Sequence, residues 1–180
     1  MGSANSDHFL YVNKIPAVGE TIQSHKYFTA NGGKGANQAV SVGKLAGQSY
    51  FLGQVGNDDA KHRLEVEMKA ANVDLQWKVL EGRYTGMAYI YVDSHGDNSI
   101  VIYGGTNMEF DPLHDISDDF KKVIDTCDYL LLQKEVPMEI NLAAAKYAYS
   151  QSKIVILDCG GRDDHISDEL LDNITYISPN

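Results

Sequence analysis

The sequence is poor in several things. It has two cysteines, four prolines and one tryptophan in 180 residues. Cys127 and Cys159 lie in separate apolar segments without metal-ligand spacing, so they read as reduced core residues rather than a disulfide framework. Positive charge is scarce too: 15 Lys and Arg face 25 Asp and Glu, a net charge of −10. That balance excludes a nucleic-acid or anionic-membrane binder, which needs cations along its contact face. No apolar run is long enough to span a membrane, and "MGSANSDHF" has neither the basic start nor the apolar stretch of a secretion signal. The composition is that of a cytoplasmic globular protein, and "NIT" at Asn173 is then a chance sequon. His8, His25, His62, His95, His114 and His165 include no pair at metal-ligand spacing.

What is present follows an α/β order. "ANQAVSVGKLA" (36–46) puts Ala36, Ala39, Val40 and Gly43 on one small helical face, with Gly47 placed for a left-handed cap. "YFLGQVG" (50–56) reads as one buried strand, and Asp58 or Asp59 caps a helix over about 60–71 with Leu64, Met68 and Ala71 inward. "TGMAYIYVD" and "NSIVIYG" alternate with period two around "SHGDN", a β-hairpin with its turn at 93–98. A polar helix (about 116–125), the strand "CDYLLLQ", a helix opened by Pro137, the strand "KIVILD", the short helix "SDELLDN" and the strand "ITYIS" follow. Strands alternating with helices predict a parallel sheet covered on both faces, with the hairpin as an insertion.

Four places offer chemistry. In "ANGGKGANQAV", Gln38 stands where a dinucleotide fingerprint needs glycine, and Gly35 where a P-loop needs Ser or Thr. Gly32, Gly33 and Gly35 can still expose main-chain N–H groups to a ligand, with Lys34 and Asn37 as polar partners; equally, they can form a tight strand-to-helix turn. Asn5 and Asp7 share one face of an extended segment and could hold vicinal hydroxyls, or simply cap a turn. Glu135 and Asn180 each follow a predicted strand at the edge where open parallel sheets bind ligands.

In that order and spacing, "GSANSD", "GGKGANQAV", "VGNDD", "TGMAYIYVD", "LLLQKEVP" and "ISPN" resemble the ribokinase-like family of carbohydrate kinases over nearly the whole chain. The resemblance implies a three-layer α/β sandwich with a parallel sheet and a small β lid, here truncated at both ends. Residues 1–180 would be the amino-terminal part, with lid strands about 10–30 and 84–104 and the ATP-binding half absent. It implies that Asn5, Asp7, Gly33, Lys34 and Asn37 hold a pentose, that Ala88 and Ile90 press an apolar face on it, and that Glu135 binds a further hydroxyl or organises the metal–phosphate side. Asn180 would face ATP and Mg²⁺, K⁺ would activate from a site outside the chain, and the lid would form a homodimer. The implied reaction moves a phosphoryl group from MgATP to the 5-hydroxyl of D-ribose. The family's base motif is not found, so the chain is expected to lack activity alone and to aggregate through unpaired edges. A kinase of another sugar or a nucleoside, or a non-catalytic sugar-binding or dimerisation module, are the competing readings.

Overall fold

The computed structural model describes residues 1–111, 116–161 and 163–179; Asn180 and His114 lie outside the described residues. In chain order the elements are β1 (Asn5–Tyr11), β2 (Lys26–Gly32), α1 (Lys34–Lys44), β3 (Ser49–Phe51), β4 (Gln54–Gly56), α2 (Asp59–Ala70), β5 (Val73–Leu75), β6 (Lys78–Leu80), β7 (Gly86–Val92) and β8 (Asn98–Tyr103). A 3₁₀ turn (Gly105–Met108), α3 (Asp118–Thr126), β9 (Tyr129–Lys134), α4 (Met138–Ser150), β10 (Ile154–Gly161), α5 (Asp168–Leu171) and β11 (Tyr176–Ser178) complete them.

Two kinds of sheet result. The carboxyl-terminal strands form a parallel sheet in the order β11-β10-β9, and two short parallel pairs, β3-β5 and β4-β6, lie in the amino-terminal half. The fourth sheet is mixed, in the order β2-β1-β7-β8, with β1 parallel to β7 and antiparallel to β2. The expected hairpin is there, and its turn is held by Asp93, whose Oδ1 accepts from the N–H groups of His95 and Asp97 at 2.8 and 3.0 Å. Its place differs from expectation. It is half of a four-stranded sheet, and the first pair of strands is 5–11 with 26–32 rather than a segment over 10–30, most of which is the β1–β2 connection. The polar start "NSDH" hides β1 from any search for apolar alternation.

The expected single strand over 50–56 is two. Gly53 marks the break: a Cβ there would lie 2.5 Å from the Phe51 ring, and the flanking Leu52 C=O accepts from the Gly2 N–H at 3.0 Å. β3 and β4 therefore pair with different partners, the three-residue strands β5 and β6, which are too short to show a period. The helices fall close to expectation. Asp58 caps α2 by accepting from the Lys61 N–H at 3.0 Å, and Leu64, Met68 and Ala71 are buried. At the end of α1 the left-handed residue is Ala46 (φ 62°), one before Gly47, whose N–H closes the turn on the Val42 C=O at 3.0 Å.

Two apolar cores carry the stability. Leu132, Val155 and Leu157 of β9 and β10 pack on Ile140, Ala144 and Ala148 of α4; Phe51, Val55, Leu64 and Met68 form the second with Ala36 and Ala39. Each fully buried Leu or Phe contributes about 1.5–3 kcal/mol. Cys127 and Cys159 are half-buried rather than core, Cys127 because it follows α3 at a helix end. The sheet is also less covered than expected, since β11 is exposed along its whole length. Residues 1 and 2 bridge the halves: the Met1 amine donates to the Leu131 C=O at 2.9 Å, and burial lowers its pKa to about 5. Beside it lies a cavity of about 330 Å³ between α1, β3 and the α3–β9 junction.

Candidate sugar-binding site

Cross-strand register shapes the site. Asn5 lies between Gly32 and Gly86, Asp7 between Ala30 and Ala88, and Phe9 between Phe28 and Ile90. Paired residues share a face, so two polar side chains stand on a floor of glycine and alanine that rises into aromatic and branched residues farther along the strands. A floor of that shape leaves room beside Asn5 and Asp7 and an apolar wall beyond them. The Phe9 and Phe28 rings stack at 4.7 Å between centroids. The opposite face carries Ser6 and His8, with the His8 ring hydrogen-bonded to the Tyr27 hydroxyl at 2.8 Å.

Asp7 is the electrostatically unusual group. Its carboxyl pKa is raised to about 6, first by burial and second by the negative charge of Glu135. Gly32 accommodates it, because a Cβ on Gly32 would sit 2.1 Å from Asp7 Oδ2.

The glycine stretch brings a second set of groups to the same end. β2 ends at Gly32 and α1 begins at Lys34, with Gly33 between them in a left-handed conformation (φ 88°) and without a side-chain cap. A helix start leaves N–H groups unpaired, and here distant segments take them. The Lys34 N–H donates to Glu135 Oε2 at 2.8 Å, and the Ala36 N–H donates to the Ser3 C=O at 2.9 Å. The Ser3 hydroxyl donates to the same Glu135 oxygen at 2.6 Å. Glu135, carried just past the end of β9, thus serves as an anionic cap for α1.

This changes the meaning of the glycines. The close approach they permit is of chain on chain: a Cβ on Gly33 would lie 2.8 Å from Ala4 Cα, and one on Gly35 would lie 2.7 Å from the Gly2 carbonyl carbon. The N–H groups of Lys34 and Ala36 are spent inside the protein and do not face a ligand. The Lys34 ammonium reaches β10, where Asp158 accepts from the Gly160 N–H at 2.7 Å and from Gln38 Nε2 at 2.9 Å.

Of the predicted residues, Asn5, Asp7, Ala88 and Ile90 share one sheet face, and Gly33, Lys34 and Glu135 join them through Ser3. Asn37 is exposed on the first turn of α1, with no side-chain hydrogen bond among the described residues. Asn180 lies outside the described residues.

The pfkB family carbohydrate kinase profile matches residues 1–180. The chain belongs to the pfkB family of carbohydrate kinases. It is 40% identical to the ribokinase of Arabidopsis thaliana over 184 residues, covering 100% of this chain and 48% of that protein. A structure of Arabidopsis thaliana ribokinase complexed with ribose and ATP superposes with a TM-score of 0.91 at 37% identity, covering 99% of this chain and 58% of the other. The ribokinase of Thermotoga maritima superposes with a TM-score of 0.87 at 33% identity, covering 99% and 57%. This pfkB-family chain therefore spans about half the length of the curated relatives it matches.

Three residues of the site escaped the sequence reading. Ser3 and Asn107, whose Nδ2 donates to Asn5 Oδ1 at 2.7 Å, sit in turn-like text, "GSANSD" and "GGTNME", with no pattern that marks either as a partner. Asp158 had the signal that marked Glu135, a carboxylate where a buried strand ends.

Proposed function

We propose that this chain is the sugar-binding half of an ATP-dependent kinase that phosphorylates D-ribose at its 5-hydroxyl. The observation that carries the reading is the pair Asn5 and Asp7 on their glycine–alanine floor, with Glu135 and Lys34 joined to the same end. A carboxylate beside an amide offers acceptors and donors at the spacing of neighbouring hydroxyls, and such a site rejects sugars that leave its groups unpaired. Asp7, Asn5 and Lys34 hold the pentose together with Gly33, Asn37 and Glu135, and Ala88 and Ile90 line its apolar side. Holding the acceptor hydroxyl in place is most of what phosphoryl transfer asks of a protein.

The sheet β2-β1-β7-β8 acts as the lid. Its edge strand β8 exposes Ile100, Val101 and Ile102 by 50%, 59% and 60%, a surface suited to a second copy of the chain. MgATP and K⁺ enter through the family resemblance, which also implies the role of Asn180 at the nucleotide. Among the described residues no three metal-ligating side chains come together. Likewise no helix among the described residues is long and apolar enough to cross a membrane, and a cytoplasmic location fits the enzyme's soluble substrates.

Calorimetric titration with D-ribose, D-fructose and adenosine tests the reading. Saturable ribose binding, at least about tenfold tighter than the other two, is the expected result. Preference for adenosine, or no binding of any of the three, would overturn it. Light scattering on the same sample is expected to give the mass of a dimer, and a monomer at all concentrations would remove β8 as a self-association surface.

A further inference from the structure

Asn107 is 2% exposed and bonds to both backbone polar groups of Ala4, the residue just before β1 begins. Its Oδ1 accepts from the Ala4 N–H at 3.0 Å, and its Nδ2 donates to the Ala4 C=O at 3.1 Å. The same Nδ2 donates to Asn5 Oδ1 at 2.7 Å. Gly86 leaves the space for this, since a Cβ there would lie 2.2 Å from both Asn107 Nδ2 and Asn5 Oδ1.

The backbone decides which end of each amide is which. A main-chain N–H can only donate and a C=O can only accept, so Ala4 fixes the Asn107 carboxamide in one orientation. The end facing Asn5 is then the NH₂, and the Asn5 atom meeting it must be the oxygen. That leaves Asn5 Nδ2 as the group offered to the floor, without an acceptor among the described residues and not sealed from solvent.

We infer that Asn107 is a positioning residue that sets the hydrogen-bond polarity of the sugar site: it holds Asn5 as a donor beside the acceptor Asp7. The inference rests on the proposed sugar-binding role of Asn5 and Asp7. Its chemical content is specific. The ligand hydroxyl at Asn5 receives a hydrogen bond, and its neighbour at Asp7 gives one. If Asn107 loses its NH₂, Asn5 can turn over, and discrimination at that hydroxyl goes with it.

Two measurements test this. In the unliganded protein, a through-hydrogen-bond scalar coupling between Asn107 Nδ2 and Asn5 Cγ is expected by NMR, and its absence would overturn the inference whatever the protein binds. The second compares D-ribose with its 1-, 2- and 3-deoxy analogues in the wild type, N107A, N107D and N5A. In the wild type, one deoxy position is expected to cost about tenfold in affinity. In N107A and N107D that penalty should shrink to within about twofold, as in N5A, and the N5A/N107A pair should lose no more than N5A alone. Uniform weakening of all four sugars would mean a merely structural role and would overturn the inference. If the wild type binds no sugar, the proposed function fails, and the coupling in the free protein still decides the role of Asn107.

Discussion

Gly35→Ala is expected to destabilise the protein by about 2 kcal/mol, although exchanging glycine for alanine inside a helix normally gains about 1 kcal/mol. The added Cβ would lie 2.7 Å from the Gly2 carbonyl carbon and from the Ser3 nitrogen, and 2.8 Å from Gly2 Cα. All three are backbone atoms and cannot rotate away. They are also tethered, because the Gly2 N–H is bonded to the Leu52 C=O at 3.0 Å and the Ser3 C=O to the Ala36 N–H at 2.9 Å. Relief would require α1 to move off the 1–4 segment, breaking the Ser3–Glu135–Lys34 link on the way. The melting temperature should fall by about 4–8 °C, with a lower urea midpoint and an unchanged slope. The experiment separates two reasons for a glycine. Were Gly35 kept small for a ligand's approach, the variant would be as stable as the parent or more so and would fail only in sugar binding.

That distinction marks the limit of what the residues alone reveal. Helices α1 to α5, the hairpin and the carboxyl-terminal strands were legible, because buried strands such as "LLLQK" and "IVILD" and capped helices such as 59–70 announce themselves through local pattern, whereas β1, β2, β5 and β6 carry none. So was the shared face of Asn5 and Asp7, which follows from the two-residue period of a strand. The purpose of the glycines was not. Local sequence shows that backbone can come close to something there, and only the return of residues 2–5 from the other side of the site shows what. Asn107 was invisible for the same reason: its partners are about a hundred positions away, and a lone amide in a glycine-rich turn carries no period or motif. The split of 50–56 into β3 and β4 is also non-local, since the strand breaks where residue 2 docks.

Asp7→Asn is expected to act with opposite signs on stability and on binding. The Asp7 carboxyl has a pKa raised to about 6, by burial first and by Glu135 second. The sign follows from linkage: the folded state holds this proton more tightly than the unfolded state, so the carboxyl's contribution to stability falls as pH rises from about 4 through 6 and stays lost above. Asparagine has the same shape without the charge. At pH 8 the variant should be more stable by about 1 kcal/mol, a figure discounted for partial exposure of the carboxyl, and should melt about 2–4 °C higher. At pH 4 the gain should vanish, because Asp7 is already protonated in the fold. Binding goes the other way. Losing a charged acceptor should weaken D-ribose by about tenfold to a hundredfold at pH 8. The parent's affinity should also climb as pH passes from 5 to 7, while the variant's stays flat. Paired melting and calorimetric curves at pH 4, 6 and 8 read both effects at once. A variant that melts lower at pH 8 and binds as the parent does would show Asp7 to be a structural anchor. The expected outcome instead identifies a carboxylate held against its electrostatic preference, on a floor cleared by Gly32 and Ala88, because a hydroxyl group needs it there.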